Sequence, residues 1–192
     1  MMINDLYLVL RQTNIQNMKK NILIFGAVLG IILCINMVIM VNMMYSNPNF
    51  KSNDILGYAF MVVVFSLIFF GIRNYRNKEL GGIISFGKAF KTGSLIALVA
   101  STIYVVVWLF YYYLFVPDFI DQYIHHVLYQ CTSESEVAAK TLEMEKFKEM
   151  YQNPLFVVII TYSEVLPVGL VVALVSSLIL KKKHNKNISV NQ

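Results

Sequence analysis

Four stretches of this chain carry almost no charge over a length that can cross a bilayer, and they restrict its fold more than any other feature. Asn21–Tyr45 has no charged residue in 25, Ile55–Ile72 none in 18 and Thr92–Val116 none in 25. Leu155–Leu180 has one, Glu164, in 26. A spanning helix needs about 20 apolar residues to cross about 30 Å of hydrocarbon. Backbone groups in lipid must be satisfied within their own segment, which leaves helices, and the period-2 alternation of a membrane barrel is absent. The expected fold is therefore all-α, an integral membrane four-helix bundle with spans at about 21–45, 54–73, 92–116 and 155–180.

Composition agrees with lipid as the solvent. Hydrophobic residues make up 57% of the 192 and charged residues only 14%, against about 45–50% and about 25% in soluble domains. The formal charge of +5 does not point to nucleic acid, because the basic residues sit in short clusters flanking the apolar runs. Arg11, Lys19 and Lys20 precede the first span, Arg73, Arg76, Lys78, Lys88 and Lys91 follow the second, and Lys181, Lys182, Lys183 and Lys186 follow the fourth. Only Lys51, Lys140, Lys146 and Lys148 fall on the other side. The positive-inside rule puts residues 1–20, the middle connection and the basic tail 181–192 in the cytosol. Trp108, Tyr111, Tyr112, Tyr113, Tyr45 and Tyr58 mark the opposite interface, where amphipathic rings favour the headgroup layer.

The first apolar run is too long for a signal-peptide core and no small-x-small cleavage site follows it, so it reads as an uncleaved span. Residues 1–17 read either as upstream of a start at Met18 or as a short interfacial helix. The outer loop 117–154 is expected to be helical. Ser133 with Glu136 makes a capping box, Glu136/Lys140 an i,i+4 pair, and Val137, Met144, Phe147 and Tyr151 a face that can dock. Asn153-Pro154 leads into the last span.

Two motifs fail on inspection. Gly82-x-x-x-x-Gly87-Lys88 is followed by Ala89 where a P-loop needs Ser or Thr, and no strand precedes it. An amphipathic segment with Ile83, Ile84, Phe86 and Phe90 in the lipid, and Lys88 and Lys91 at anionic headgroups beside Lys181, Lys182 and Lys183, is expected instead. Asp121, His125 and His126, with Cys131 nearby, offer two convergent ligands where zinc needs three or four. No metal, cofactor or disulfide is expected, Cys34 lying inside a span and Cys131 in the loop.

Glu164 is the candidate functional residue. It lies about three residues, or about 4–5 Å, outward of the middle of its span, and is expected to face the bundle interior. Asn36 and Tyr104 share its depth, with Ser66 and Thr102 about one turn nearer the cytosol. Pro167, one turn away, removes the intrahelical bond to the Ser163 carbonyl, which would kink the helix. Such a cluster serves either as a proton or cation site or as interhelical packing. Small residues at i,i+4 (Gly26/Gly30, Gly93/Ala97/Ser101, Gly169/Ala173/Ser177) predict close helix packing in the cytosolic half, with the bulkier outer half free to splay.

The run Gly71-Ile72-Arg73-Asn74-Tyr75-Arg76-Asn77-Lys78-Glu79-Leu80-Gly81-Gly82, continuing to Lys91, is joined by Tyr111-Tyr112-Tyr113 before Pro117-Asp118-Phe119 and by Glu164-x-x-Pro167-x-Gly169. With these residues the chain resembles the bacterial membrane proteins catalogued as domain of unknown function 4199. The resemblance implies a four-helix inner-membrane protein and no activity. No Ser-His pair, carboxylate pair or metal set lies within the spans, so the chain is not expected to be an enzyme. A non-enzymatic membrane subunit or scaffold is expected, with the bilayer and either a second copy or another membrane protein as partners. The alternative is a small transporter or channel using Glu164.

Overall fold

The computed structural model describes residues 2–47 and 54–182, and side chains from Gln16 and from Ile55 in the two stretches. Lys51, Lys183, Lys186 and the side chain of Arg11 lie outside the described residues. The helices are α1 (Met2–Ser46), α2 (Asp54–Phe65), α3 (Leu67–Glu79), α4 (Phe86–Leu114), α5 (Phe119–Tyr129), α6 (Glu134–Tyr151) and α7 (Pro154–Leu180). Four segments are long and apolar enough to span: Gln16–Ser46, Ile55–Glu79, Phe86–Leu114 and Pro154–Leu180. The chain is a multi-pass helical membrane protein.

Close backbone approaches set the helix directions. A Cβ on Gly26 would fall 2.6 Å from Val99 Cβ, and one on Gly30 2.9 Å from Ile103 Cβ. Contacts that advance together along both helices mean that α1 and α4 run parallel. On the other flank of α4, Gly93 meets Ala173 and Gly169 meets Ala97, so α4 and α7 run antiparallel. The small residues thus interlock in two seams, both on α4, which makes α4 the centre of the bundle. α3 packs on α1, α4 and α7, and an added Cβ on Gly71 would lie 2.7 Å from Ile96 Cδ1.

The second span departs from a single straight helix. At Ser66 the backbone N–H is shared between the carbonyls of Val62 and Val63, and the hydroxyl donates to Val63 O at 2.6 Å. Such back-bonding loosens the helical ladder. Beyond this break the outer end of α2 is exposed, Ile55 at 80% and Leu56 at 66%, whereas α3 is seated in the core.

The basic end is tied by polar contacts. Buried Asn21 donates to Gly71 O (2.9 Å) and accepts from Asn74 (2.7 Å), while Asn17 donates to Glu79 (2.6 Å). Arg76 donates to Leu180 O (3.2 Å), and the Lys182 N–H donates to Ile84 O (2.9 Å) in an isolated antiparallel bridge. The connection between the second and third spans is shorter than expected. α3 continues to Glu79 and ends as Gly82 N–H returns to Arg76 O, with Gly81 and Gly82 at φ 61° and 83°. L side chains avoid that region, so the glycine pair is what allows the reversal. The reversal turns Ile84 into the core at 1% exposure instead of into lipid, and Phe86, capped by Ser85, already belongs to α4.

Across the membrane, α5 and α6 form an aromatic cap over α1, α4 and α7. Met37, Val41, Trp108, Val116, Ile120, Tyr151 and Val157 form a second core there, separate from the one centred on Phe65, Ile68, Ile72 and Ile96. Ser133 caps α6 as expected, but Glu136 reaches back to Thr132 N–H (2.9 Å), and Lys140 pairs with Glu143 (2.7 Å) instead of Glu136. Met144 and Tyr151 dock and Phe147 is half-buried, while Val137 stays exposed because the first turns of α6 project from the bundle.

The cap is fastened to α1 by Tyr45, whose hydroxyl donates to Asp118 at 2.8 Å; Gln122 also donates to Asp118 (3.2 Å). These two bonds hold the Asp118 carboxyl below the usual carboxylate range. A carboxylate lowered on folding stabilises the fold above its unfolded pKa, and that contribution fades as pH falls through the folded value. The protection factor of the α5 amides, taken against the intrinsic exchange rate at each pH, is therefore expected to be high at neutral pH and to fall below about pH 4. Tyr45→Phe should abolish most of that pH dependence, as read by hydrogen exchange.

Candidate intramembrane carboxylate site

Glu164 lies on α7, ten residues from its first residue, Pro154. Its neighbours are Tyr104 on α4 and Tyr151 at the end of α6, both within electrostatic reach. Tyr104 packs against both apolar cores, so the carboxylate stands beside the seam between the bundle and its outer cap. Tyr151 is buried and its hydroxyl accepts from Trp108 Nε1 at 3.2 Å. Burial pushes the Tyr151 phenol well above its usual range, the Trp108 bond opposes this, and the Glu164 carboxylate adds a smaller upward push.

The expectation that Glu164 faces the bundle interior is not met. Its side chain is exposed on the surface of the single chain, as are Ser163 and Pro167. The reason is angular. Successive residues on a helix are about 100° apart, and α7 turns Thr161, Val165, Gly169 and Ala173 inward, which leaves Glu164 on the flank of the outer face. Pro167 is accommodated within a continuous helix from Pro154 to Leu180. It supplies no N–H for the Ser163 carbonyl, and the Ser163 hydroxyl donates to Ile160 O at 2.7 Å.

Asn36 is half-buried on α1. Ser66 is exposed at the α2–α3 break, where its hydroxyl donates to Val63 O. Thr102 accepts from Tyr162 (2.8 Å), a link between α4 and α7 on their outer side. Lys88, Lys91, Lys181 and Lys182 are exposed at the basic end; Lys183 lies outside the described residues. In the outer cap, Asp121 pairs with Lys148, and His126 lies buried with Nε2 3.2 Å from Met44 O. Among the described residues no three His, Cys, Asp or Glu side chains converge as a metal site would require.

Sequence reasoning missed the Asn21–Gly71–Asn74 clasp and the Tyr151–Trp108 pair. A signal for the first existed, since Asn21 stands at the very start of an apolar run. The second joins residues 43 apart with no shared periodicity. On the far side of α4 and α7, Val106, Leu109, Phe110, Tyr113, Leu114, Pro154 and Val158 line a shallow apolar groove of ≈ 500 Å³.

A family model described as "Protein of unknown function (DUF4199)" matches residues 24–182. The chain belongs to that family. No curated protein and no solved structure matches it.

Proposed function

We propose that this family member is a non-enzymatic subunit or scaffold of the bacterial cytoplasmic membrane, with both ends in the cytosol, which binds a protein partner through the outer face of α7. The observation that carries the reading is the exposure of Glu164 near the middle of a span. An ionisable side chain at that depth costs about 3 kcal/mol against lipid on insertion scales, and a protein surface laid over it relieves that cost. Of the four spans, α7 also buries the smallest share of its apolar window within the chain, 22%.

Gentle purification after crosslinking in native membranes, followed by mass spectrometry, tests this. A reproducible stoichiometric partner, or a stoichiometric second copy, is the expected result; a chain crosslinked only to lipid overturns it.

A second reading, a small proton- or cation-coupled transporter, is favoured by the placement of Glu164 beside Tyr104 and Tyr151, which lead from mid-membrane to the outer aromatic cap. Ion flux in proteoliposomes that disappears with Glu164→Gln would select it over the scaffold.

A further inference from the structure

The exposed face of α7 is polar at one level and apolar elsewhere. Pro167, Val171, Leu174 and Leu178 are exposed and Ile160 half-buried, and their spacing of seven, four, three and four residues keeps them on one stripe along a helix. Ser163 and Glu164 are consecutive, hence about 100° apart, and they flank this stripe on opposite sides. One flank offers acceptors, the Ser163 carbonyl that Pro167 leaves without its intrahelical donor and the lone pairs of the Ser163 hydroxyl. The other flank offers a carboxyl group that, in its protonated form, is a donor.

We propose that the partner on this face is a second copy of the chain, packed α7 against α7 about a two-fold axis normal to the membrane, with Glu164 of each copy donating to Ser163 of the other. This deepens the scaffold reading and rests on it. The argument is one of complementarity. A two-fold rotation carries each flank of a stripe onto the opposite flank of its mate, so the donor side meets the acceptor side twice. Two copies inserted with the same orientation also place donor and acceptor at the same depth without further adjustment. A different protein would need its own matching group at that level. The apolar remainder of the stripe supplies the helix–helix packing, with one polar level setting the register.

The test uses the full chain in native membranes with a photoreactive phenylalanine at Leu174 and, separately, at Phe110 in the apolar groove between α4 and α7. The expected product from position 174 has twice the mass of the chain, while position 110 yields lipid adducts. A product at 174 joining the chain to a different protein overturns the two-fold proposal and leaves the scaffold reading standing. Lipid adducts alone at both positions overturn both. Glu164→Ala should lower the yield of the doubled product about tenfold through loss of two hydrogen bonds of modest strength. Glu164→Gln, whose amide still donates, should keep it within about twofold. Equal yields from Ala, Gln and the native residue would remove Glu164 from the interface.

Discussion

Replacing Gly26 by leucine is expected to destabilise the bundle by about 3 kcal/mol or more and to cut the yield of folded protein from membranes. The first carbon of any side chain there would already stand 2.6 Å from Cβ and Cγ1 of Val99 and 3.2 Å from the Ile96 carbonyl oxygen. Val99 Cβ is fixed to the backbone of α4 and cannot swing aside, so the whole seam between α1 and α4 must open. Because α4 is also locked to α7 through Gly93/Ala173 and Ala97/Gly169, opening one seam strains the other. Gly57→Leu is the matched control: a Cβ there meets nothing within 4 Å, and stability should change by no more than about 0.5 kcal/mol. Thermal unfolding in detergent, with glycine at each site as reference, separates the two. Equal losses at Gly26 and Gly57 would mean that the seam does not hold the bundle together.

The second large effect is expected at Trp108, the only tryptophan in the chain. It is buried at 6% exposure, its ring meets Phe119 edge-on at 4.8 Å, and its Nε1 donates to Tyr151. Truncation to alanine removes the centre of the outer core and leaves the Tyr151 hydroxyl without its donor, a loss of about 3–5 kcal/mol. The damage should be local, because the outer core and the basic-side core are separate clusters joined through Tyr104. α5 and α6 should exchange their amides rapidly and become open to protease, while α3 and the basic half of α4 keep their protection. Trp108→Phe, which keeps an aromatic ring but not the hydrogen bond, should cost about 1 kcal/mol. Uniform loss of protection along the chain in the alanine variant would contradict the two-core organisation.

Much of the fold was legible before any tertiary contact was known, and the reasons are specific. Hydrocarbon sets a length and forbids charge, so the spans declare themselves by their uncharged runs. The small residues at Gly26/Gly30 and Gly93/Ala97 announce close approach at spacing four, and Ser133 announces the start of α6. What failed were claims about direction. Ile84 looked like a lipid anchor because it neighbours Ile83 and Phe86, but the two glycines before it reverse the chain and aim it inward. Glu164 looked like a group facing the bundle interior, yet its side chain is exposed on α7, because depth says nothing of azimuth.

The sequence by itself determined the number and order of the apolar spans, and that one carboxylate falls within the last of them. Each of these follows from a transfer free energy, which depends on composition and length along the chain. Only the tertiary structure decided which way that carboxylate faces, that α4 is the centre of the bundle, that the first turns of α2 are exposed while α3 is seated in the core, and that Asn21, Gly71 and Asn74 meet. Those outcomes depend on how helices rotate against one another. In a span apolar on every side, such as α7, the pattern of hydrophobic residues carries almost no preference for one rotation, and close packing at a few glycines sets it.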